Sequence, residues 1–175
     1  LVDMYRGSVP KPSFTSYAAY VSFFPQLVAG PIIRYHDIDR QISRLLNGIS
    51  RHRLLLLALS GFALFCLGLF KKVVIADSLS LWVDPVFSTA GQRSISTLDA
   101  WIGSLAYSFQ LYFDFSGYSD MALGLGRMFG LIFPLNFNSP YKSLSISEFW
   151  RRWHMSLSFF VRDYIYIPLG GSREG

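Results

Sequence analysis

Residues 54–70, Leu-Leu-Leu-Leu-Ala-Leu-Ser-Gly-Phe-Ala-Leu-Phe-Cys-Leu-Gly-Leu-Phe, carry no charge, while Arg51 and Arg53 precede them and Lys71 and Lys72 follow. As a helix the run is about 25 Å long, close to the ~30 Å hydrocarbon core of a bilayer. It is expected to be a transmembrane segment, with the lysines snorkelling to the interface. Composition agrees. The chain is 51% hydrophobic and only 15% charged, whereas about a quarter of a soluble domain is charged. The formal charge of +5 does not indicate nucleic acid, because the basic residues flank apolar runs instead of forming one stripe. Residues 32–53 hold Arg34, Arg40, Arg44, Arg51 and Arg53 against Asp37 and Asp39. This arginine excess places them on the cytoplasmic side.

Other segments follow from the breaks between apolar runs. Residues 1–13, with Pro10 and Pro12, read as a polar loop. Residues 14–30 form a short span or a re-entrant piece, interrupted at Pro25 and ended by Gly30-Pro31. Residues 32–53 read as a loop and 71–97 as an interfacial segment. Two more embedded segments, near 98–113 and 120–135, flank an aromatic turn between Asp114 and Asp120. Gly124, Gly126 and Gly130 suit close helix packing. They do not form a nucleotide loop, since no strand precedes them. Period-two alternation over several segments, as a barrel requires, is missing. The expected fold is all-α: a polytopic helical membrane protein, one domain over 1–175, ending in an amphipathic or re-entrant helix over 146–167. The chain opens Leu-Val-Asp without an initiator methionine, as an excerpt of a longer protein would. Cys66, the single cysteine, reads as a small buried apolar residue, with no disulfide or metal pair to join.

The last helix concentrates the chemistry. Ser145 and Glu148 have capping-box spacing and mark its start near Ile146, while Pro168 and Gly170-Gly171 mark its end. On a continuous helix, Trp150, His154, Leu157 and Val161 share one face. Phe149, Trp153 and Phe160 share the next, and Arg151, Met155 and Arg162 a third. Glu148 can pair with Arg152. An aromatic face disfavours the imidazolium form of His154 and keeps it neutral, as a general base requires. A histidine satisfied by a structural hydrogen bond is an equal reading. Arg151 and Arg152 suit headgroup contact or an acyl-carrier or phosphate contact. Asp114 and Asp120 suit helix capping or pairing with arginine better than catalysis. His36, beside Asp37 and Asp39, reads as a solvated turn better than a metal site. His52, between two arginines, reads as a charged membrane flank.

Four stretches together resemble one family. Ser-Phe-Phe-Pro-Gln-Leu-Val-Ala-Gly-Pro-Ile-Ile-Arg-Tyr-His-Asp (22–37), Lys-Lys-Val-Val-Ile-Ala-Asp (71–77), Gln-Leu-Tyr-Phe-Asp-Phe-Ser-Gly-Tyr-Ser-Asp-Met-Ala (110–122) and the final Arg-Arg-Trp-His helix are similar to the membrane-bound O-acyltransferases. The bacterial alginate O-acetylase branch resembles them most, and the teichoic acid D-alanyl transferases are more distant. The resemblance implies a multi-pass protein of the bacterial inner membrane with no bound cofactor or metal. An acetyl group from a cytoplasmic thioester, acetyl-CoA, would pass through it to hydroxyls of an exported polysaccharide such as alginate. Periplasmic acetyl-transfer proteins would be partners. His154 becomes the chamber histidine, supported by Glu148, Trp150, Arg151, Arg152, Asp114 and Asp120. A second histidine, in a Trp-His motif, is expected beyond residue 175. The alternatives are D-alanyl or other acyl transfer to an envelope polymer, and a transporter or channel component lined by Asp114, Asp120, Glu148 and His154. Inverted repeats would favour a transporter, and none is visible.

Overall fold

A computed structural model describes residues 2–7, 11–27, 30–90 and 94–173. Pro10, in the expected N-terminal loop, lies outside these residues. Every regular element among them is helical. In chain order they include α1 (Val2–Tyr5), α2 (Phe14–Ser22), α3 (Tyr35–Leu46), α4 (Arg51–Leu69), α5 (Asp77–Ala90), α6 (Thr97–Met128), α7 (Ile146–Arg152) and α8 (Met155–Val161).

The apolar run is not a self-contained span. α4 continues through a wide π-helical stretch, Phe70–Ala76, into α5 without interruption. The resulting helix, Arg51–Ala90, has 40 residues and is the one helix among those described that is long and apolar enough to cross a membrane. Its length of about 60 Å is twice a hydrocarbon core. Lys71 and Lys72 therefore sit midway along a helix. Cys66 is exposed on that helix, contrary to its expected burial.

The expected segments 98–113 and 120–135 are also joined. α6 runs for 32 residues through the supposed turn between Asp114 and Asp120. The residues that suggested a turn, Ser116 and Gly117, are both buried, and Gly117 lies against α4 and the π-helical stretch. A Cβ on Gly61 would lie 2.6 Å from the carbonyl oxygen of Gly124, and one on Gly68 would lie 2.5 Å from that of Gly117. The two glycine pairs, seven residues apart on each antiparallel helix, bring backbone onto backbone. The lysines then reach α6. Lys71 Nζ lies 2.5 Å from Asp120 Oδ2, and Lys72 Nζ lies 2.8 Å from Asp77 Oδ1 and 2.6 Å from Asp114 Oδ1. Asp114 and Asp120 are thus paired with lysine, where capping or arginine pairing was expected.

α3 replaces the loop expected over 32–53. Ile38, Ile42 and Leu45 stand at i, i+4 and i+7, and Gly48 follows the end of the helix with φ +99°. These side chains pack with Ile33, Leu64, Leu123, Leu131 and Phe133 in the core. The arginines had suggested a loop, yet Arg34 precedes the first turn of α3, Arg40 and Arg44 are exposed on α3, and Arg51 and Arg53 open α4. α2 is only nine residues long and gives way at Phe23 to a short 3-10 turn holding Pro25. It is far shorter than a span.

The glycine contact yields a direct test. Gly68→Ala or Gly117→Ala forces a methyl into a carbonyl oxygen and should cost about 1–3 kcal/mol. The equivalent change at Gly48, with nothing within 4 Å, leaves packing untouched, although its positive φ adds local strain. Thermal unfolding of the three variants should show the interhelical pair lowest; equal midpoints would contradict the contact.

Candidate functional site

The expected helix 146–167 is broken at its centre. α7 begins as its capping box requires, with Glu148 N–H donating to Ser145 Oγ at 3.1 Å. The Glu148 carboxylate accepts from Leu144 N–H at 2.9 Å, one residue earlier than the usual reciprocal bond. It also accepts from Arg152, Nη2 to Oε1 at 2.7 Å. These donors, the backbone N–H first, hold Glu148 below the usual carboxylate range. Helical geometry then stops. Trp153 is extended, and His154 adopts a left-handed conformation with φ 44° and ψ 55° before α8 starts at Met155. For a residue other than glycine this costs about 1–3 kcal/mol.

The strap between α6 and α7 explains the break. Asn138 N–H donates to Arg152 O at 2.9 Å, and Met155 N–H donates to Asn136 O at 2.9 Å. Two of the backbone groups at the interruption, Arg152 C=O and Met155 N–H, are therefore satisfied from one short segment. Asn136 is 2% exposed. Its Oδ1 accepts from Ser156 N–H at 3.3 Å, and its Nδ2 donates to Ser119 Oγ of α6 at 3.3 Å. Ser156 Oγ in turn accepts from Ile32 N–H at 3.0 Å. One buried amide thus ties α6, the strap and α8 together around His154.

The imidazole meets aromatic carbon on one side. Phe115 of α6 lies edge-on to it, with centroids 4.8 Å apart. Trp153 fills the space behind, packed on Phe137, Phe149 and Tyr112 at 5.0, 5.5 and 6.2 Å. Tyr141 clips this cluster to α6 by donating its hydroxyl to Ser108 O at 2.6 Å. Among the described residues, the His154 ring makes no side-chain hydrogen bond. Burial pushes its pKa below the ordinary 6.5, so it is uncharged at neutral pH.

On its other side His154 opens onto a mostly apolar groove of about 430 Å³, shared with Trp150, Leu157, Val161 and Tyr166. The face expected on a continuous helix is therefore assembled, though by two short helices meeting at a corner. Arg162 lines the groove from a second π-helical stretch, Arg162–Tyr166. Arg151 points outward. Arg152 is taken by Glu148 and Asn138 O. Asp114 and Asp120 lie at the lysine contacts of α6, outside the groove. His36 Nε2 is 3.1 Å from Asp37 Oδ1, and among the described residues no three His, Cys, Asp or Glu side chains gather as a metal site would require. Asn136, Phe115 and Ser119 escaped the sequence reading. Asn136, isolated in the Leu-Asn-Phe-Asn run after an apolar segment, was the available signal.

A helical scaffold that aims an uncharged, strained histidine into an apolar groove defines a site suited to proton abstraction in a water-poor setting. The comparison with known proteins gives the family. The chain belongs to the membrane-bound O-acyltransferase family, whose profile matches residues 4–175. It is 52% identical over 160 residues to the peptidoglycan O-acetyltransferase of Helicobacter pylori, covering 91% of this chain and 29% of that protein. It is 48% identical over 174 residues to a Pseudomonas aeruginosa protein named a probable alginate O-acetylase, covering 99% and 32%. A teichoic acid D-alanyltransferase of Streptococcus thermophilus is 32% identical over 171 residues, covering 97% and 40%. The chain spans about a third of the length of these relatives.

Two measurements test the site. Asn136→Ala leaves Ser156 N–H and Ser119 Oγ without their partner and should lower stability by about 1–3 kcal/mol, read by thermal unfolding; a neutral effect would remove Asn136 as the tie. The folded pKa of His154 lies below its unfolded value, so the unfolded chain takes up the proton first as pH falls. Stability should therefore decline as pH drops below about 6.5. His154→Phe should flatten that part of the Tm-against-pH curve, and an unchanged slope would assign it to another group.

Proposed function

We propose that the protein is a membrane O-acyltransferase that moves an acetyl group from a cytoplasmic thioester, acetyl-CoA, to hydroxyls of an exported polysaccharide. The observation that carries this reading is His154, neutral and held in a left-handed turn at an apolar groove. Strain maintained by buried hydrogen bonds is characteristic of functional positions. The family and the printed names of its relatives supply the reaction class. Alginate is the first candidate polymer. Peptidoglycan is the second, because the relative named for it shares at least as much identity.

In the proposed reaction the acceptor oxygen attacks the thioester carbonyl carbon while a neutral imidazole takes the hydroxyl proton. The tetrahedral oxyanion is stabilised by preorganised donors. Its collapse forms the ester, breaks the carbon–sulfur bond and releases a thiolate, which recovers the proton from the imidazolium. His154 assists or positions the acceptor, and a second histidine beyond residue 175 serves as principal base. The protein is proposed to be multi-pass in the bacterial inner membrane, with residues 32–53 on the cytoplasmic side by their arginine excess. Periplasmic acetyl-transfer proteins are the proposed partners. Lysine pairing at Asp114 and Asp120 supports this reading over an ion pathway, since neutralised carboxylates are poor sites for a moving cation.

In the full-length protein, His154→Ala should lower O-acetylation of the secreted polymer by about 10²–10⁴-fold while membrane insertion is unchanged. O-acetyl content measured in a deletion strain complemented with either form checks this; normal acetylation with the variant would overturn the role.

A further inference from the structure

A second cleft, of about 400 Å³, lies across the Arg162–Tyr166 turn from the histidine groove. It is polar, and its walls come from three separated parts of the chain: Asp3 and Arg6, then Arg34, His36 and Arg40 at the start of α3, then Asp163 and Tyr164. The guanidinium groups of Arg6 and Arg34 both converge on the Tyr164 ring, at 5.6 and 5.3 Å from its centroid.

The charges there do not balance. Asp163 pairs with Arg34, and its Oδ1 is also 2.6 Å from Arg162 Nε. Its pKa falls to about 2, the Arg162 and Arg34 hydrogen bonds being the main causes. Asp3 accepts from the Tyr164 hydroxyl at 2.6 Å. The carboxylates of α3 are turned to their own helix, Asp37 to His36 and Asp39 to the Tyr35 hydroxyl. Among the described residues, Arg6 has one long hydrogen bond, 3.4 Å, to the Asp163 carbonyl. Arg40 has no ion pair among the described residues. The first turn of α3 has no side-chain cap at Arg34, which adds the partial positive charge of a helix start to the same place.

Guanidinium forks drawn together in excess of their carboxylates match the fixed oxygens of a phosphate, which accepts paired N–H bonds. We infer that this cleft binds a phosphate-bearing ligand, with Arg6 and Arg40 as the principal contacts and Arg34 held in place by Asp163. The cleft and the histidine groove share the Arg162–Asp163 turn as a wall. On the acyl-transfer reading, on which the choice of ligand rests, the phosphate is that of the soluble thioester donor, reaching from the arginine-rich face toward His154. An anionic lipid headgroup offers the same chemistry.

The test uses the full-length protein in detergent and inorganic pyrophosphate as the probe, with calorimetric titration as the readout. Wild type and His154→Ala should bind pyrophosphate alike, and the Arg6→Ala/Arg40→Ala double variant at least tenfold more weakly at an unchanged Tm. Equal binding by wild type and the double variant, or no binding by wild type, overturns the site. If the double variant loses stability, Arg40→Ala alone, an exposed position, takes its place with the same expectation. Adenosine 3′,5′-bisphosphate should displace the probe, in support of the soluble donor. Displacement only by phosphatidylglycerol nanodiscs, with phosphatidylcholine nanodiscs as control, overturns the donor assignment. Because His154→Ala keeps pyrophosphate binding but loses acetylation, failure of the acyl-transfer reading and failure of the anion site give different results.

Discussion

The backbone contact between α4 and α6 comes first in the physical order of this protein. Where Gly61 meets Gly124 and Gly68 meets Gly117, no side chain separates the helices. Hydrophobic driving force is weak between helices in lipid, so close van der Waals contact and polar pairing carry association. The lysine–aspartate pairs lie along the same seam and add the second element. Removing one partner would leave an uncompensated charge in a poor solvent. α6 is thereby fixed as the spine that carries Phe115 and Ser119.

Everything at the site is measured from that spine. Ser119 holds Asn136, and Asn136 holds the strap and the start of α8. The strap bonds Arg152 C=O and Met155 N–H across the break, and His154 is left in a conformation it would not choose alone. Phe115 and Trp153 remove water from one side of its ring and keep it neutral. The same exchange recurs at Arg162–Tyr166, where a widened helical turn separates an apolar groove from a cationic cleft. On the proposed reading, the uncharged histidine and the cleft of arginines are parts of one arrangement, an apolar groove beside a cationic cleft.

Much of this was legible in the residue order. The charge-free run, the capping box at Ser145, the Glu148–Arg152 spacing and the motif stretches require only local reading. Local reading also went astray in consistent ways. Ser116 and Gly117 read as a turn because small polar residues favour turns in water, yet inside a helix pair they permit contact. Arginine-rich 32–53 read as a loop because its charge drew attention from Ile38, Ile42 and Leu45. The helix through His154 read as unbroken because nothing between Arg152 and Met155 is a helix breaker. The breaker is Asn136, eighteen residues before His154 and visible only when the strap is in place.

Residue types and their spacing dictate that this chain is helical and rich in apolar runs, and they single out His154 as the candidate base. These are properties of composition and of intervals shorter than two helical turns. The tertiary structure decides that 98–113 and 120–135 are one helix, that Asp114 and Asp120 answer to lysines, and that His154 stands at a corner. Each depends on a contact between residues far apart in the chain, where buried hydrogen bonds and close packing outweigh local preference.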